Sequence, residues 1–255
     1  MIASAMDGVV DPRMAVELGK LGALGVLNLD GIYTRYEDPY EQIEKIVSAA
    51  DDKATEIIQQ IYREPVKEEL IYKRIKEIKK EKVLCAVSTV PQNAPKYIKI
   101  AKEAAADIFV IQATVVTVKH FSSKHGYVDL EKICKESGLP IIIGNCVTYK
   151  VALELMEIGA YAVLVGVGPG AACTTRQVLG IGVPQITATI DCAKARDFYF
   201  KKTGRYVPII TDGGMITSGD VCKSFVAGAD LVMFGSGFAK AKEAPGKGYH
   251  WGMAM

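Results

Sequence analysis

One cysteine of the chain stands in a setting that a core residue does not need. Residues 166–176 read GVGPGAACTTR, so three glycines and a proline separate Cys173 from the apolar segment AVLV before it. This composition predicts an exposed loop. A thiolate is a strong nucleophile when it is partly exposed and surrounded by N–H donors or positive charge, which the glycine-rich turn and Arg176 would supply. We therefore predict that Cys173 is a nucleophile.

The remaining five cysteines lie within strand-like or helix-like patterns and are predicted to be small buried residues. They are Cys85, Cys134, Cys146, Cys192 and Cys222, of which Cys146 is closest to a predicted strand end. Without short paired spacings, the six cysteines indicate neither a disulfide framework nor a zinc ribbon and suit a reducing compartment. The three histidines have no metal-ligand spacing.

Two further glycine turns could bind an anion. Thr211-Asp212-Gly213-Gly214 and Gly235-Ser236-Gly237 each follow an apolar segment and can present backbone N–H groups to a phosphate. Taken singly, Asp-Gly-Gly is a simple turn and Thr217 to Asp220 a helix cap. Taken together, the two turns occupy the positions where a barrel of parallel strands holds phosphate.

Eight short aliphatic segments alternate with segments of helical spacing. They are residues 2–6, 24–29, 83–90, 108–116, 139–147, 162–168, 207–214 and 231–237. Eight strand and helix repeats in a chain of this length predict an α/β fold of the (β/α)8 TIM-barrel type. A doubly wound open sheet is the alternative. It is disfavoured because glycine motifs follow several strands and no G-x-G-x-x-G follows the first.

The organisation of the chain departs from a regular barrel in two places. Residues 37–82 are too long for one barrel helix and are predicted to form two or three helices, with a break at Pro65. At the ends, the first strand begins at once and about twenty residues rich in glycine follow the last. We expect a single catalytic barrel over residues 1–255, truncated at its N-terminus and lacking the eighth helix.

Bulk composition narrows the class of protein. The 255 residues are 49% hydrophobic and 24% charged, with a formal net charge of +2 and no massed basic residues. Nothing indicates a nucleic-acid partner. The start MIASAMD has no basic leader region, and glycine or charge interrupts every apolar run. We expect a cytoplasmic protein without a membrane partner.

The cysteine loop resembles that of a known enzyme family. Residues 168–188, GPGAACTTRQVLGIGVPQITA, match the active-site loop of the IMP dehydrogenase/GMP reductase family. Further matches are ASAMDGVVDPRMA (3–15), IIIGNCVT (141–148), DGGMITSGDVCKSFVAGADLVMFGS (212–236) and GYHWGMAM (248–255). The resemblance covers nearly the whole chain. LGVLNLDGIYTRYEDP (24–39) and EAPGKGYHWGMA (243–254) look most like the short IMP dehydrogenase-related branch without CBS domains. Residues 37–82 occupy the insertion point of the CBS pair in longer relatives but are too short to form it.

The resemblance implies a purine nucleotide oxidoreductase in which Cys173 attacks C2 of a purine nucleoside monophosphate. In the IMP dehydrogenase direction, hydride passes from C2 to NAD and water hydrolyses the thioimidate to XMP. In the GMP reductase direction, GMP loses ammonia and NADPH delivers hydride to give IMP. The shared loop leaves both directions, and NAD or NADP, open.

The resemblance also assigns roles to residues. Cys173 and Thr175 would be catalytic. The substrate would contact Ser4, Met6, Gly170, Asp212, Gly213, Gly214, Gly235, Ser236, His250, Gly252 and Met253, with Asp212 accepting from the ribose hydroxyls. The cofactor would lie near Gln112, Asn145, Gly166 and Gly168. Carbonyls of Gly168, Gly170 and Cys173 would bind potassium, and the family implies a homo-oligomer, commonly a tetramer.

The chain departs from the family pattern at several of these positions. Ala171 replaces a serine of the phosphate site, Gln112 stands where many members have aspartate, and His250-Trp251 replace a Tyr-Arg pair. The sequence ends at Met255, before the C-terminal flap of the dehydrogenases. A non-catalytic nucleotide-binding fragment is therefore the alternative from another class.

Overall fold

The computed structural model describes residues 1–122 and 126–252. Its strands are β1 (Ile2–Ala3), β2 (Leu24–Asn28), β3 (Ala86–Thr89), β4 (Ile108–Gln112), β5 (Lys119–Ser122), β6 (Gly126–Asp129), β7 (Ile141–Cys146), β8 (Ala162–Val165), β9 (Ile209–Asp212) and β10 (Leu231–Phe234). Its helices are α1 (Pro12–Lys20), α2 (Pro39–Val47), α3 (Asp51–Ile61), α4 (Glu68–Lys80), α5 (Ala94–Glu103), α6 (Leu130–Glu136), α7 (Tyr149–Glu157), α8 (Thr175–Leu179), α9 (Gln185–Thr203), α10 (Ser218–Val226) and α11 (Ser236–Ala239). Within these described ranges, no helix combines the length and apolar character needed to cross a bilayer.

Eight strands form a closed barrel in the order β1-β10-β9-β8-β7-β4-β3-β2. Each of the eight aliphatic segments contains one of these strands, so the predicted (β/α)8 fold is confirmed. The antiparallel pair β5 and β6 stands apart from the barrel and was not predicted. Neither strand belongs to the barrel. Neither segment has the apolar run from which the barrel strands were predicted.

The chain divides into two units, and the first comprises Met1, Val90–Lys96 and the described part of 108–234. Its barrel strands pair in parallel, with Phe109 opposite Ile141, Val163 opposite Ile209 and Leu231 opposite Ile210. Strands β7 and β8 are buried at every residue. A parallel strand covered on both faces must be apolar along its length, which explains the continuous runs III and AVLV.

The second unit comprises Ile2–Thr89, Tyr97–Asp107 and residues 235–252. Its helix α1 begins at a cap in which Asp11 accepts from the Met14 amide, with a proline in the first turn. Three helices, α2 to α4, occupy most of residues 37–82, and Pro65 lies between the last two. Their apolar faces are buried, including Ile43, Ile61 and Ile71.

Helix α10 of the first unit begins at a capping box between Thr217 and Asp220, as the sequence predicted. Among the cysteines, Cys85, Cys146 and Cys192 are buried as expected. The prediction for Cys222 was wrong: it is exposed on α10. A helix that covers a barrel packs along one face only, and the apolar pattern of this helix includes residues on its outer face, such as Val226.

Strands β7 and β8 approach so closely at Gly144 that a side chain would not fit. An added Cβ would lie 2.4 Å from Leu164 Cβ and 2.6 Å from its carbonyl oxygen. We predict that Gly144→Ala lowers the free energy of unfolding by about 1–3 kcal/mol, measured from urea unfolding. The control is Gly219→Ala on α10, where the nearest atom is 3.6 Å away. That variant should be neutral or more stable by up to about 1 kcal/mol. Equal stability of the two variants would contradict the prediction.

Candidate active site

The loop after β8 carries Cys173 on an exposed turn. The Cys173 amide donates to the Gly170 carbonyl at 3.0 Å, which closes the turn. The thiol is exposed, and its Sγ lies 3.1 Å from Thr175 Oγ1. A hydroxyl at this distance can accept from the thiol or donate to the thiolate. The loop therefore presents an accessible sulfur with one hydroxyl partner.

Arg176 braces this loop from within. Its Nε donates to the Val167 carbonyl at 3.1 Å and its Nη2 to the Val183 carbonyl at 2.6 Å. The side chain runs close to two glycines: an added Cβ would lie 2.9 Å from it at Gly168 and 2.7 Å at Gly182. We expected Arg176 to supply positive charge to the thiolate. Two of its donors bond backbone carbonyls on both sides of α8 while the guanidinium keeps its charge, so this expectation stays a prediction.

Asp212 joins three strand ends in the first unit. Its Oδ2 accepts from Gln112 Nε2, the end of β4, at 2.9 Å and from Asn145 Nδ2, in β7, at 2.8 Å. Gln112 Nε2 also donates to Asn145 Oδ1 at 3.1 Å. Burial raises the pKa of the Asp212 carboxyl to about 6, and the two amide hydrogen bonds oppose that rise. At neutral pH the group is a carboxylate that can accept further hydrogen bonds.

Gln185 ties the ends of β8 and β9 together. Its Nε2 donates to the carbonyl oxygens of Val165 at 2.6 Å and Asp212 at 3.2 Å. Gly166 makes room for this contact, because an added Cβ would lie 2.5 Å from the Asp212 carbonyl oxygen. Sequence reasoning assigned no role to Gln185. The signal was its place in the motif Gly182-x-Pro184-Gln185, where Pro184 is the N-cap and Gln185 the first residue of α9.

Gly213 and Gly214 form a backbone turn that only glycine adopts readily, with φ of +78° and +79°. This turn packs against the cysteine loop, since an added Cβ on Gly213 would lie 3.2 Å from the Gly170 nitrogen and one on Gly214 3.0 Å from Pro169. The Gly213 amide donates to the Met233 carbonyl at 2.9 Å. The expectation of a free N–H at Gly213 is therefore corrected: this donor is used between β9 and β10.

A second group of predicted residues meets within the second unit. Ser236 Oγ lies 3.0 Å from His250 Nε2, and an added Cβ on Gly235 would lie 2.7 Å from Met6 Sδ. The Met6 amide donates to the carbonyl of Ser4 at 2.8 Å. Burial lowers the pKa of His250, so the ring is neutral at neutral pH. Gly252 is the last residue described, and Met253 lies outside the described residues.

These contacts unite the cysteine loop, the Asp212 amide cluster and the paired glycines at the carboxyl ends of parallel strands, where barrel enzymes carry their active sites. The family model for the IMP dehydrogenase / GMP reductase domain matches residues 1–253. The chain belongs to the IMP dehydrogenase/GMP reductase family. The resemblance seen in the cysteine loop is thereby confirmed.

Individual relatives agree with the IMP dehydrogenase/GMP reductase assignment. A protein named uncharacterized oxidoreductase from Mycolicibacterium smegmatis is 36% identical over 258 residues, covering 98% of this chain and 69% of the relative. An inosine-5'-monophosphate dehydrogenase from Cryptosporidium parvum is 32% identical, covering 97% of this chain and 61% of the relative. The crystal structure of an IMP dehydrogenase/GMP reductase-like protein from Corynebacterium glutamicum superposes with a TM-score of 0.92 at 36% identity, covering 98% and 67%. The chain is thus a member of an oxidoreductase family.

The amide cluster predicts how the Asp212 carboxyl titrates. Hydrogen bonds to the charged form lower a carboxyl pKa, so Asn145→Ala should raise the pKa of Asp212 above its value of about 6. A carboxyl-carbon NMR titration measures this, with Asp212→Asn identifying the signal. Gln60→Ala, whose amide bonds only Glu56 on the surface of α3, is the control and should leave the titration unchanged. An unchanged or lower pKa in Asn145→Ala would refute this reading of the cluster.

Proposed function

We propose that the chain is a purine nucleotide oxidoreductase of the IMP dehydrogenase type, with Cys173 as the nucleophile. The observation that carries the proposal is the exposed Cys173 sulfur, 3.1 Å from the Thr175 hydroxyl, on a loop packed against the Gly213-Gly214 turn. Such a sulfur is free to bond a ligand atom. Cys85, Cys146 and Cys192 are instead buried by packing.

We expect the nucleotide to contact two sets of residues that are described above. In the first unit, Asp212 is a carboxylate at neutral pH and would accept from the two ribose hydroxyls. The nearby Gly170 and Gly214 would offer backbone donors to the nucleotide. In the second unit, Ser236 and His250 form the polar pair proposed for the phosphate, with Met6 and Gly252 toward the purine.

The reaction would begin when the Cys173 thiol loses its proton to solvent and the thiolate adds to C2 of IMP. The C2=N3 double bond opens as N3 takes up a proton, and it re-forms with loss of that proton when hydride leaves C2. When bound, NAD supplies the acceptor for the hydride that leaves C2. The Cys173 sulfur then holds a thioimidate, which water hydrolyses to XMP while the thiol is regenerated. Thr175 would orient the sulfur and the attacking water, since its hydroxyl lies within hydrogen-bond distance of Sγ.

The residues proposed to hold the dinucleotide fit that role in part. Gly170 has open space where a side chain would be, so the loop leaves room at this position. The amide groups of Gln112 and Asn145 are directed at Asp212, so they would act on the cofactor side chiefly by fixing that carboxylate. Gly166 and Gly168 would contribute backbone only.

The carbonyls proposed for potassium also fit. Those of Gly168, Gly170 and Cys173 are hard oxygen donors on one turn, the type of ligand that an alkali cation prefers. The Gly170 carbonyl already accepts from the Cys173 amide and has a second lone pair for a cation. We further expect a homo-oligomeric, cytoplasmic enzyme of guanine nucleotide biosynthesis.

Two assays test the proposed activity. The protein is incubated with IMP and NAD, and separately with GMP and NADPH, while the absorbance of the reduced nicotinamide is followed. Intact-mass spectrometry of the first mixture should show an adduct that Cys173→Ser lacks, because serine does not provide a thiolate at neutral pH. Turnover only of GMP with NADPH would assign GMP reductase instead. Nucleotide binding with neither turnover nor adduct would leave a non-catalytic binding fragment.

Ala171 offers a gain-of-binding test. Restoring the serine hydroxyl in Ala171→Ser should strengthen IMP binding by about 1–3 kcal/mol, which is roughly 5- to 150-fold in Kd, because a hydroxyl would donate to the phosphate. Calorimetry measures the affinity. Inosine, which has no phosphate, should bind both proteins equally, and Ala172→Ser serves as the neighbouring control. A gain for inosine as large as for IMP would show that residue 171 does not face the phosphate.

A further inference from the structure

The second unit contains two pairs of adjacent residues with divided roles. In each pair, one residue is proposed to contact the nucleotide and the other is buried. The pairs are Met6-Asp7, after β1, and His250-Trp251, near the described end of the chain. Asp7 is 1% exposed and Trp251 is 4% exposed. Both buried members are hydrogen-bonded to a single hydroxyl, that of Tyr62, the C-cap residue after α3.

Asp7 depends on donors that surround its carboxyl group. Its Oδ2 accepts from Tyr62 OH at 2.5 Å and from the Ile32 amide at 2.7 Å, and its Oδ1 accepts from Asn28 Nδ2 at 3.2 Å. Burial raises the pKa of Asp7, and these donors oppose that rise. The carboxyl also needs Gly31, since an added Cβ there would lie 2.0 Å from Oδ1.

Trp251 completes the chain of hydrogen bonds from the other side. Its indole Nε1 donates to Tyr62 OH at 3.2 Å, so the same hydroxyl accepts from the indole and donates to the carboxylate. The indole ring lies over Gly8, where an added Cβ would be 3.0 Å from Cζ3. The Gly8 carbonyl accepts from the Gly246 amide at 3.0 Å. The two distant parts of the sequence are therefore locked side by side.

Tyr62 is itself held in place. Arg35 Nη1 donates to the Tyr62 carbonyl at 3.1 Å, and its guanidinium lies 5.4 Å from the centre of the Tyr62 ring. The same guanidinium donates from Nε and Nη2 to the Asp30 carbonyl. Burial raises the pKa of Tyr62 well above its ordinary value, so the phenol remains protonated and keeps its donor.

The other members of the two pairs, Met6 and His250, are half-buried and meet at Gly235. An added Cβ on Gly235 would lie 2.7 Å from Met6 Sδ and 3.8 Å from His250 Cδ2. His250 Nε2 in turn lies 3.0 Å from Ser236 Oγ. A shift of either buried partner would move Met6 or His250 directly, because each is the next residue along the backbone.

We infer that Tyr62 is a positioning residue for purine nucleotide binding, which holds Met6 and His250 in register through its hydrogen bonds to Asp7 and Trp251. This inference rests on the proposed function, because it takes Met6 and His250 as nucleotide contacts. It gives the helical segment α2 to α4 a part in the binding site, although Tyr62 does not itself touch the ligand.

Tyr62→Phe removes the hydroxyl and little else. The matched control is Tyr206→Phe, which also removes a tyrosine hydroxyl bonded to an aspartate at 2.5 Å, here Asp230 beside the start of β10. Three quantities are measured on the full chain: the Kd for IMP by calorimetry, the rate at which iodoacetamide modifies Cys173, and the fluorescence of Trp251. Trp251 is the single tryptophan of the chain, so the emission reports on this residue alone.

For Tyr62→Phe we expect the Kd for IMP to rise about tenfold or more, the Trp251 emission to change without nucleotide, and the Cys173 modification rate to stay as in the unchanged protein. Tyr206→Phe should alter none of the three. A general loss of structure would change the thiol reactivity as well, so the split between binding and reactivity separates positioning from stability.

The outcomes distinguish the inference from the proposed function. If the unchanged protein binds IMP and Tyr62→Phe binds it equally well, the inference fails and the proposed function stands. If the unchanged protein binds neither IMP nor GMP, the proposed function fails and the inference with it. Should Tyr62→Phe not fold, Trp251→Phe removes the indole donor together with part of the ring and keeps the bond between Tyr62 and Asp7. It should weaken IMP binding, and unchanged affinity would overturn the inference.

Discussion

One carboxylate oxygen, Asp212 Oδ2, holds together the carboxyl ends of strands that carry the chemistry. It accepts from Gln112 on β4 and Asn145 on β7, and it belongs to β9. A partly desolvated carboxylate stays charged only while donors remain around it, so the three strand ends are constrained together. The main chain of Asp212 is fixed as well, because its carbonyl accepts from Gln185. The cysteine loop thus departs from β8 beside a rigid neighbour, and the geometry of Cys173 depends on that neighbour.

The two buried aspartates, Asp7 and Asp212, differ in how hydrogen-bond donors are arranged around their carboxyl groups. Asp7 and Asp212 both have a pKa raised by burial, and both are solvated mainly by neutral donors rather than by a salt bridge. Around Asp7 the donors come from three residues and are divided between its two carboxyl oxygens. Around Asp212 both donors converge on one oxygen. A carboxylate solvated by amides keeps its full charge, and this suits a group proposed to accept from ribose hydroxyls.

The sequence predicted the barrel and the cysteine loop because both depend on local patterns. Runs such as III and AVLV are apolar since parallel strands are covered on two faces, and glycines before Cys173 signal a loop. The Asp7, Tyr62 and Trp251 network was not predictable, since its members are far apart in the chain and each looks ordinary alone. The carbonyl partners of Arg176 and Gly213 were not predicted for a related reason. The sequence shows which donors exist but not which carbonyl each one reaches. Exposure of Cys222 likewise depends on how α10 is rotated against the barrel.

Arg176 passes between Gly168 and Gly182 as it reaches carbonyls on both sides of α8. Neither glycine can gain a side chain while a long residue occupies the space between them. The three positions should therefore covary during evolution: homologues that keep glycine at both sites can keep the arginine, whereas a homologue with a bulkier residue at either site needs a shorter one at 176. Such a homologue would also have to hold the carbonyls of residues 167 and 183 by other means.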